Sequence, residues 1–386
     1  MPRFFQAHAT HPDAHMAMAL AAAQIDGQRG DRPLTLGFLY ISEDYLPQAE
    51  ALLDDARQRW PGCGFVGASA LAVCAGGAEY FGDPALALLM CDLPADQWRI
   101  FSGRSPLPPE WDARSLLLHA DGQTPDLQEL IGELADRSSS GYVFGGLVSG
   151  RQQAIQIADG VVEGGLSGLA LREGVRWISR VSQGCQPLGR ERRVTGSDGA
   201  LATELDGRPA LDALLEDLKL PAFTGETTTL RQAMPLFRRT LVGLSDAPGA
   251  RKDYGPEVRV RHLVGLDPAR RGVAVAEQLR EGELLSFCER NPEAARRDLV
   301  RICTEIRADA EELGATMAGA LYISCTGRGG PHFGAPSAEL QWVQHALGDV
   351  PLVGFFANGE IAHARLHGYT GVLTVFLDGG QPASAE

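Results

Sequence analysis

Leu321-Tyr322-Ile323-Ser324-Cys325-Thr326-Gly327-Arg328-Gly329-Gly330 is followed by Val353-Gly354-Phe355-Phe356-Ala357-Asn358-Gly359-Glu360-Ile361. Leu366-His367-Gly368-Tyr369-Thr370-Gly371-Val372-Leu373-Thr374-Val375-Phe376 comes next. Each piece is an apolar strand joined to glycines and small polar residues. Strands apolar on both faces read as buried. Glycine lets backbone approach backbone or ligand closely. The glycine runs therefore suit tight turns between packed strands or the wall of a ligand pocket. Ser337 to Leu347 reads as a helix between the first two strands, so the stretch is strand–helix–strand–strand.

The same order occurs twice upstream. Leu34 to Ile41 is a strand, Ala49 to Trp60 an amphipathic helix, Gly64 to Ser69 a strand and Pro84 to Cys91 another. Ser115 to His119, Asp126 to Asp136, Gly141 to Gly150 and Gly165 to Leu171 repeat it. The tetrapeptide Leu-Tyr-Ile-Ser stands at 39–42 and again at 321–324, in what reads as the same place. Gly67, Gly146 and Gly354 are expected to be equivalent. An alanine-rich helix, Thr10 to Asp26, precedes the first copy, with Thr10 or Asp13 as its cap. Between the second and third copies lie strands at 176–181, 258–264 and 272–276, and helices at 209–218 and 292–313. Pro221 to Thr229 reads as a loop.

A β-α-β-β unit whose last strands form a hairpin cannot build an all-parallel sheet. The expected fold class is α+β: two pseudo-related domains of mixed β-sheets with helices on their outer faces. The 386 residues have room for two domains. The formal net charge of −14, without a basic tail, argues against nucleic acid or an anionic membrane surface as partner. The seven cysteines are odd in number and contain no Cys-x-x-Cys, which argues against a disulfide framework and a structural zinc site. The first residues lack the apolar run of a signal peptide, and no stretch approaches the roughly 20 apolar residues of a membrane span. Together these imply a cytoplasmic protein without membrane insertion.

Val181-Ser-Gln-Gly-Cys185-Gln-Pro187, Leu205-Asp-Gly-Arg-Pro-Ala210, Leu266-Asp267-Pro268, Ser324-Cys-Thr-Gly-Arg-Gly, Gly359-Glu-Ile and His367-Gly-Tyr-Thr resemble the signature of FIST proteins. Gly145-Gly-Leu-Val-Ser-Gly150 matches the first half, so the resemblance covers nearly the whole chain. It implies a FIST N-terminal domain over residues 1–207 and a FIST C-terminal domain over 208–386. It implies a sensory protein that binds a small ligand such as an amino acid and signals through a separate partner. Some members are similar to haem-containing nitric-oxide sensors that act on a histidine kinase, so haem as cofactor and a histidine kinase as partner are the alternative. The loop after Glu360 is shorter than in many members.

The expected ligand pocket is walled by Ser324, Cys325, Arg328, Phe355, Asn358, Glu360 and Tyr369, with Gly145 and Gly146 facing them. Glu360 would hold a ligand amine, or pair with Arg328 or Arg365 as structural glue. Arg328 would grip a carboxylate with its fork. Uncovered backbone N–H groups at the glycines would favour anions. No catalytic or metal-binding residue is assigned, and enzyme action is the less favoured reading. Were the chain an enzyme, Cys325 or Glu360 would be nucleophile or base. Small buried cysteine and hydrogen-bonded core histidine are the bland readings for Cys325, Cys185, His262 and His367. There is no phosphate-loop motif, no G-x-G-x-x-G opening a helix and no G-x-S-x-G elbow.

Overall fold

The structure, a computed structural model, describes residues 3–151, 153–225, 227–246 and 258–379. These form two compact units, residues 1–182 with 299–386, and residues 183–298. The sequence division at 207/208 falls inside the second. One residue of the expected 221–229 loop, residue 226, lies outside the described residues.

In chain order, the first unit opens with β1 (Phe4–Thr10) and α1 (Ala14–Arg29). Asp13 caps α1 by accepting from Met16 N at 3.0 Å, so the expected helix starts later and Thr10 ends a strand instead. Next come β2 (Leu36–Ser42), α2 (Ala49–Arg59), β3 (Gly64–Ala70), β4 (Ala72–Ala75), β5 (Ala78–Phe81), β6 (Ala85–Cys91) and β7 (Trp98–Ser102). The second copy holds β8 (Ala113–Ala120), α3 (Leu127–Asp136), β9 (Ser138–Leu147), β10 (Gln156–Ala158), β11 (Val161–Val162) and β12 (Leu166–Leu171), followed by β13 (Trp177–Gln183).

The second unit contributes β14 (Cys185–Pro187), β15 (Arg192–Asp198), β16 (Leu201–Leu205), β17 (Arg208–Pro209), α4 (Ala210–Asp217), α5 (Thr227–Gln232), α6 (Met234–Phe237), β18 (Thr240–Ser245), β19 (Arg259–Asp267), β20 (Gly272–Val275) and β21 (Leu284–Arg290). α7 (Pro292–Glu312) follows. The third copy is β22 (Thr316–Cys325), α8 (Gly330–Phe333), α9 (Ala338–Leu347), β23 (Leu352–Ala357), β24 (Glu360–Ala362), β25 (Arg365–His367) and β26 (Thr370–Asp378).

The three copies build three six-stranded sheets of one design: β1-β6-β2-β3-β10-β11, β7-β12-β8-β9-β24-β25 and β13-β26-β22-β23-β4-β5. In each, the first two strands of a copy run parallel and the last returns antiparallel to the first. This is the mixed α+β architecture expected. The hairpin after each middle strand does not stay with its own copy. β4–β5 extends the third copy's sheet, β10–β11 the first's, and β24–β25 the second's. The exchange is cyclic.

Tyr40, Phe144, Phe355 and Phe376 belong to one core shared by all three sheets. The other faces are covered by helices: α1 and α2 on the first sheet, α3 on the second, α7 and α9 on the third. With both faces buried, the strands carry no polar alternation.

The parallel register identifies the equivalent glycines. Leu39 pairs with Gly67, Leu118 with Gly145, and Tyr322 with Gly354. A Cβ at these glycines would lie 1.8, 1.9 and 1.6 Å from the partner's carbonyl oxygen, which no side chain permits. The second copy's glycine is therefore Gly145, not Gly146. Gly146 instead faces the shared core, where a Cβ would meet Ala357 and Ile323 at 2.8 Å. The Leu-Tyr-Ile-Ser match is also out of register by one residue. Tyr40 faces the shared core, whereas Tyr322 faces the helices of its sheet.

In the second unit, β18 is bonded to both β19 and β21, so β21-β15-β16-β20-β19-β18 closes into an antiparallel ring. α4 and α6 pack on its apolar residues through Leu214 and Phe237 among others. α5 begins at Thr227, within the stretch expected to be a loop.

Candidate functional site

β22 ends at Cys325, and the turn that follows carries Arg328, Gly329 and Gly330 into α8. Arg328 is 2 % exposed and Glu339 is completely buried. Arg328 Nε donates to Glu339 Oε1 at 2.7 Å. Glu339 also accepts from Tyr322 Oη at 2.7 Å, Ser324 Oγ at 3.1 Å and Gly329 N at 2.8 Å. The other Arg328 nitrogens reach Ser182 O and Oγ at 3.3 Å and Tyr369 O at 3.5 Å. Its guanidinium lies 5.6 Å from the Phe333 ring centroid. Desolvation is the largest influence and works against the Arg328 charge, but Glu339, Tyr322 and Glu360 together outweigh it and hold the guanidinium cationic. Buried charges survive when paired and fully hydrogen-bonded. Arg328 and Ser324 therefore pin the start of α9 to the end of β22.

Glu360 opens β24 and is paired across the sheet with Gly146 on one side and His367 on the other. It is completely buried. Its Oε2 accepts from Thr370 N at 3.0 Å and Thr370 Oγ1 at 2.7 Å. Its Oε1 has no hydrogen-bond partner among the described residues. Desolvation pushes the carboxyl up to about 8, against the smaller opposing pull of Thr370 and the Arg328 charge. Arg328 and Glu360 thus lie within electrostatic reach, while the direct ion pair of Arg328 goes to Glu339.

Cys325 is 8 % exposed. Desolvation, then the Glu360 charge, pushes its thiol up to about 12, the reverse of what a thiolate nucleophile requires. Asn358 is exposed and accepts from Thr326 Oγ1 at 3.2 Å. Tyr369 is half-buried, with φ of 60°. Phe355 lies in the shared core, its ring 5.0 Å from Tyr40 and 5.7 Å from His119. Gly145 and Gly146 do meet the third copy, through backbone pairing with β24.

A cleft of about 510 Å3 opens beside this cluster, with Glu79, Phe81, Gly330, Pro331, Pro336 and Ser337 in its wall. Glu79, on β5, accepts from Gly330 N at 2.6 Å and Leu340 N at 3.1 Å, while its own N–H goes to Ser337 Oγ at 3.0 Å. It caps both α8 and α9. Desolvation raises its carboxyl above the ordinary range, partly offset by these donors. Glu79 is not legible as a site residue in the sequence: it reaches the third copy only because the β4–β5 hairpin is exchanged, and no local motif announces that.

Among the described residues no group of three His, Cys, Asp or Glu side chains is arranged to hold a metal. All seven cysteines are buried, and none forms a disulfide. His119 is enclosed by Tyr40 and Phe355, its Nε2 3.2 Å from Tyr40 Oη. A second cleft, of about 450 Å3, lies against α5, α6 and β19. Among the described residues neither cleft is lined by a histidine or cysteine. No helix of the described residues is long and apolar enough to cross a membrane.

Residues 35–208 match the family model of the FIST N domain, and residues 210–363 that of the FIST C domain. An uncharacterized protein of Mycobacterium tuberculosis is 32% identical, over 96% of this chain and 98% of its own length. An uncharacterized protein of Mycobacterium bovis is 33% identical, over 96% of this chain and 97% of its own.

Proposed function

This chain belongs to the FIST family, whose members are sensory domains of signal transduction, and on that premise we propose that it binds an amino acid or similar small amine and signals through a separate protein. The cleft beside the Arg328–Gly330 turn carries this reading. Its volume is that of a small-molecule site, and its wall joins apolar rings to the Glu79 carboxylate. An ammonium group drawn to Glu79 competes with the N–H groups of Gly330 and Leu340. Binding would thereby act on the starts of α8 and α9, which is the differential contact a sensor needs. Reduced, unbridged cysteines suit a cytoplasmic setting for this role. We place the boundary between the two family domains at 207/208.

A second placement of the ligand centres on Glu360, with Cys325, Asn358 and Tyr369 as contacts, Ser324, Arg328 and Phe355 behind them and Gly145 and Gly146 facing. The unpartnered Oε1 favours it. A ligand ammonium there would ionise Glu360 and release its proton. Calorimetric titration with an amino-acid panel separates the two. In the first placement Glu79→Gln weakens binding about tenfold or more and Glu360→Gln leaves it unchanged. In the second the effects exchange, and the binding heat depends on the ionisation heat of the buffer. No binding by any member of the panel to the wild-type protein would overturn the amino-acid reading.

A further inference from the structure

The second unit carries an apolar groove that the ligand site does not use. Its floor is Leu230, Phe237, Leu263 and Leu266, and its rim holds Met234 and Val264. Val264 is 61 % exposed and Met234 40 %, and Leu236, also on α6 but outside the groove's lining, is 42 % exposed. Val264 is the most exposed of the large apolar side chains among the described residues. It lies on β19 at the bulge between Leu263 and Gly265, both of which pair with β20, so its exposure is not that of a loose end.

The charges around this groove have one sign. Arg231 and Arg238 are its charged lining residues. Both are exposed, and among the described residues neither forms an ion pair. Several other arginines of the unit are paired: Arg192 with Asp217, Arg208 with Glu216, Arg270 with Asp198, Arg271 with Asp212. In a chain of net charge −14, cations left without carboxylates beside exposed apolar side chains form an unusual combination. A rim of charge around an apolar centre is the anatomy of a protein interface, with the charges steering and the apolar centre holding.

We propose that this groove is the docking surface for a partner protein's acidic amphipathic segment. Apolar side chains at helical spacing would enter between Phe237 and Val264, with flanking Asp or Glu against Arg231 and Arg238. Leu236 adds exposed apolar surface outside the groove's lining, which suits a segment better than a compact small molecule. A second copy of this acidic chain would bring mostly like charge to its surroundings, which disfavours self-association as the occupant. The surface is independent of where the ligand binds, so its failure would leave the sensory reading standing.

The test places a photo-crosslinking benzoylphenylalanine at position 264 in the full chain, expressed in its own host, with position 300 as an exposed apolar control (Val300, 40 % exposed). The expected result is an adduct at 264 but not at 300. Its crosslinked peptide combines large apolar residues with more Asp and Glu than Lys and Arg. Charge reversal by Arg231→Glu with Arg238→Glu lowers its yield about tenfold, with the unfolding temperature unchanged as the folding control. An adduct only with a second copy of this chain, an adduct insensitive to the charge reversal, or no adduct overturns the proposal. Should the double variant unfold early, Val264→Asp supplies the second arm. With the crosslinker moved to position 234, loss of the adduct supports the groove and retention overturns it.

Discussion

Arg328 and Glu339 form an ion pair at 2.7 Å from which water is excluded on both sides. The pair ties the turn after β22 to the first turn of α9. Removing one member leaves the other charged, buried and unpaired. Arg328→Ala and Glu339→Gln are each expected to destabilise the protein by about 3–5 kcal/mol. The double substitution Arg328→Met with Glu339→Leu should recover most of that loss. Urea unfolding measures all three. Single variants within about 0.5 kcal/mol of wild type, the range of ordinary surface changes, would contradict the pinning role.

The three close-approach glycines predict a sharp contrast. Alanine at Gly67, Gly145 or Gly354 drives a methyl group into a strand carbonyl that cannot retreat. Each should cost on the order of 3 kcal/mol, the upper part of the overpacking range. Gly27 is exposed in α1 with nothing within 4 Å of its would-be Cβ. Gly27→Ala should stabilise by up to about 1 kcal/mol through helix propensity. Thermal unfolding of the four variants checks the ordering; an alanine at 145 as well tolerated as at 27 would mean that the register of β8 on β9 is different.

Two displaced buried titrations, those of Glu360 and His119, act on stability in opposite directions. Glu360 keeps its proton up to about 8 when folded, against 4.5 as its ordinary value. Its contribution is whole below about 4.5 and is lost as pH rises through about 8. Burial lowers the His119 imidazole to about 3 from 6.5. Its contribution is whole above about 6.5 and is lost as pH falls toward 3. The slope of either is at most about 1.4 kcal/mol per pH unit. Unfolding free energies measured from about pH 5 to about pH 8 should fall less steeply on the alkaline side in Glu360→Gln. They should fall less steeply on the acid side in His119→Phe. A Glu360→Gln variant with the wild-type alkaline slope would show that another group carries it.

The strand–helix–strand–strand units could be read from the sequence because apolar runs and helix periodicity are local signals. Register could not. In strands buried on both faces, such as Leu36–Ser42 and Thr316–Cys325, no polar alternation marks which side is which. That is why Tyr40 and Tyr322, identical in local sequence, point to opposite sides. Gly145 and Gly146 are adjacent, and only the partner strand decides which one touches a carbonyl. The candidate site was legible as a neighbourhood: Ser324, Arg328, Glu360 and the second copy's glycines do come together around β22 and β24. The partners were not. Glu339 and Glu79 reach Arg328 and Gly330 through helix placement and hairpin exchange, which no spacing along the chain encodes.

The cyclic exchange of hairpins also bears on how this protein is made. A ribosome delivers β4 and β5 well before their partner strand, β23, which follows only after the second copy and the whole second unit. The middle strand of the second copy waits in the same way for β24. Until then the nascent chain carries two unfinished sheet edges, the kind of surface that recruits stray strands. Truncation before the third copy would therefore remove more than a C-terminal piece. It would leave the first two copies with open edges, and the expected product is an aggregate rather than a smaller folded protein.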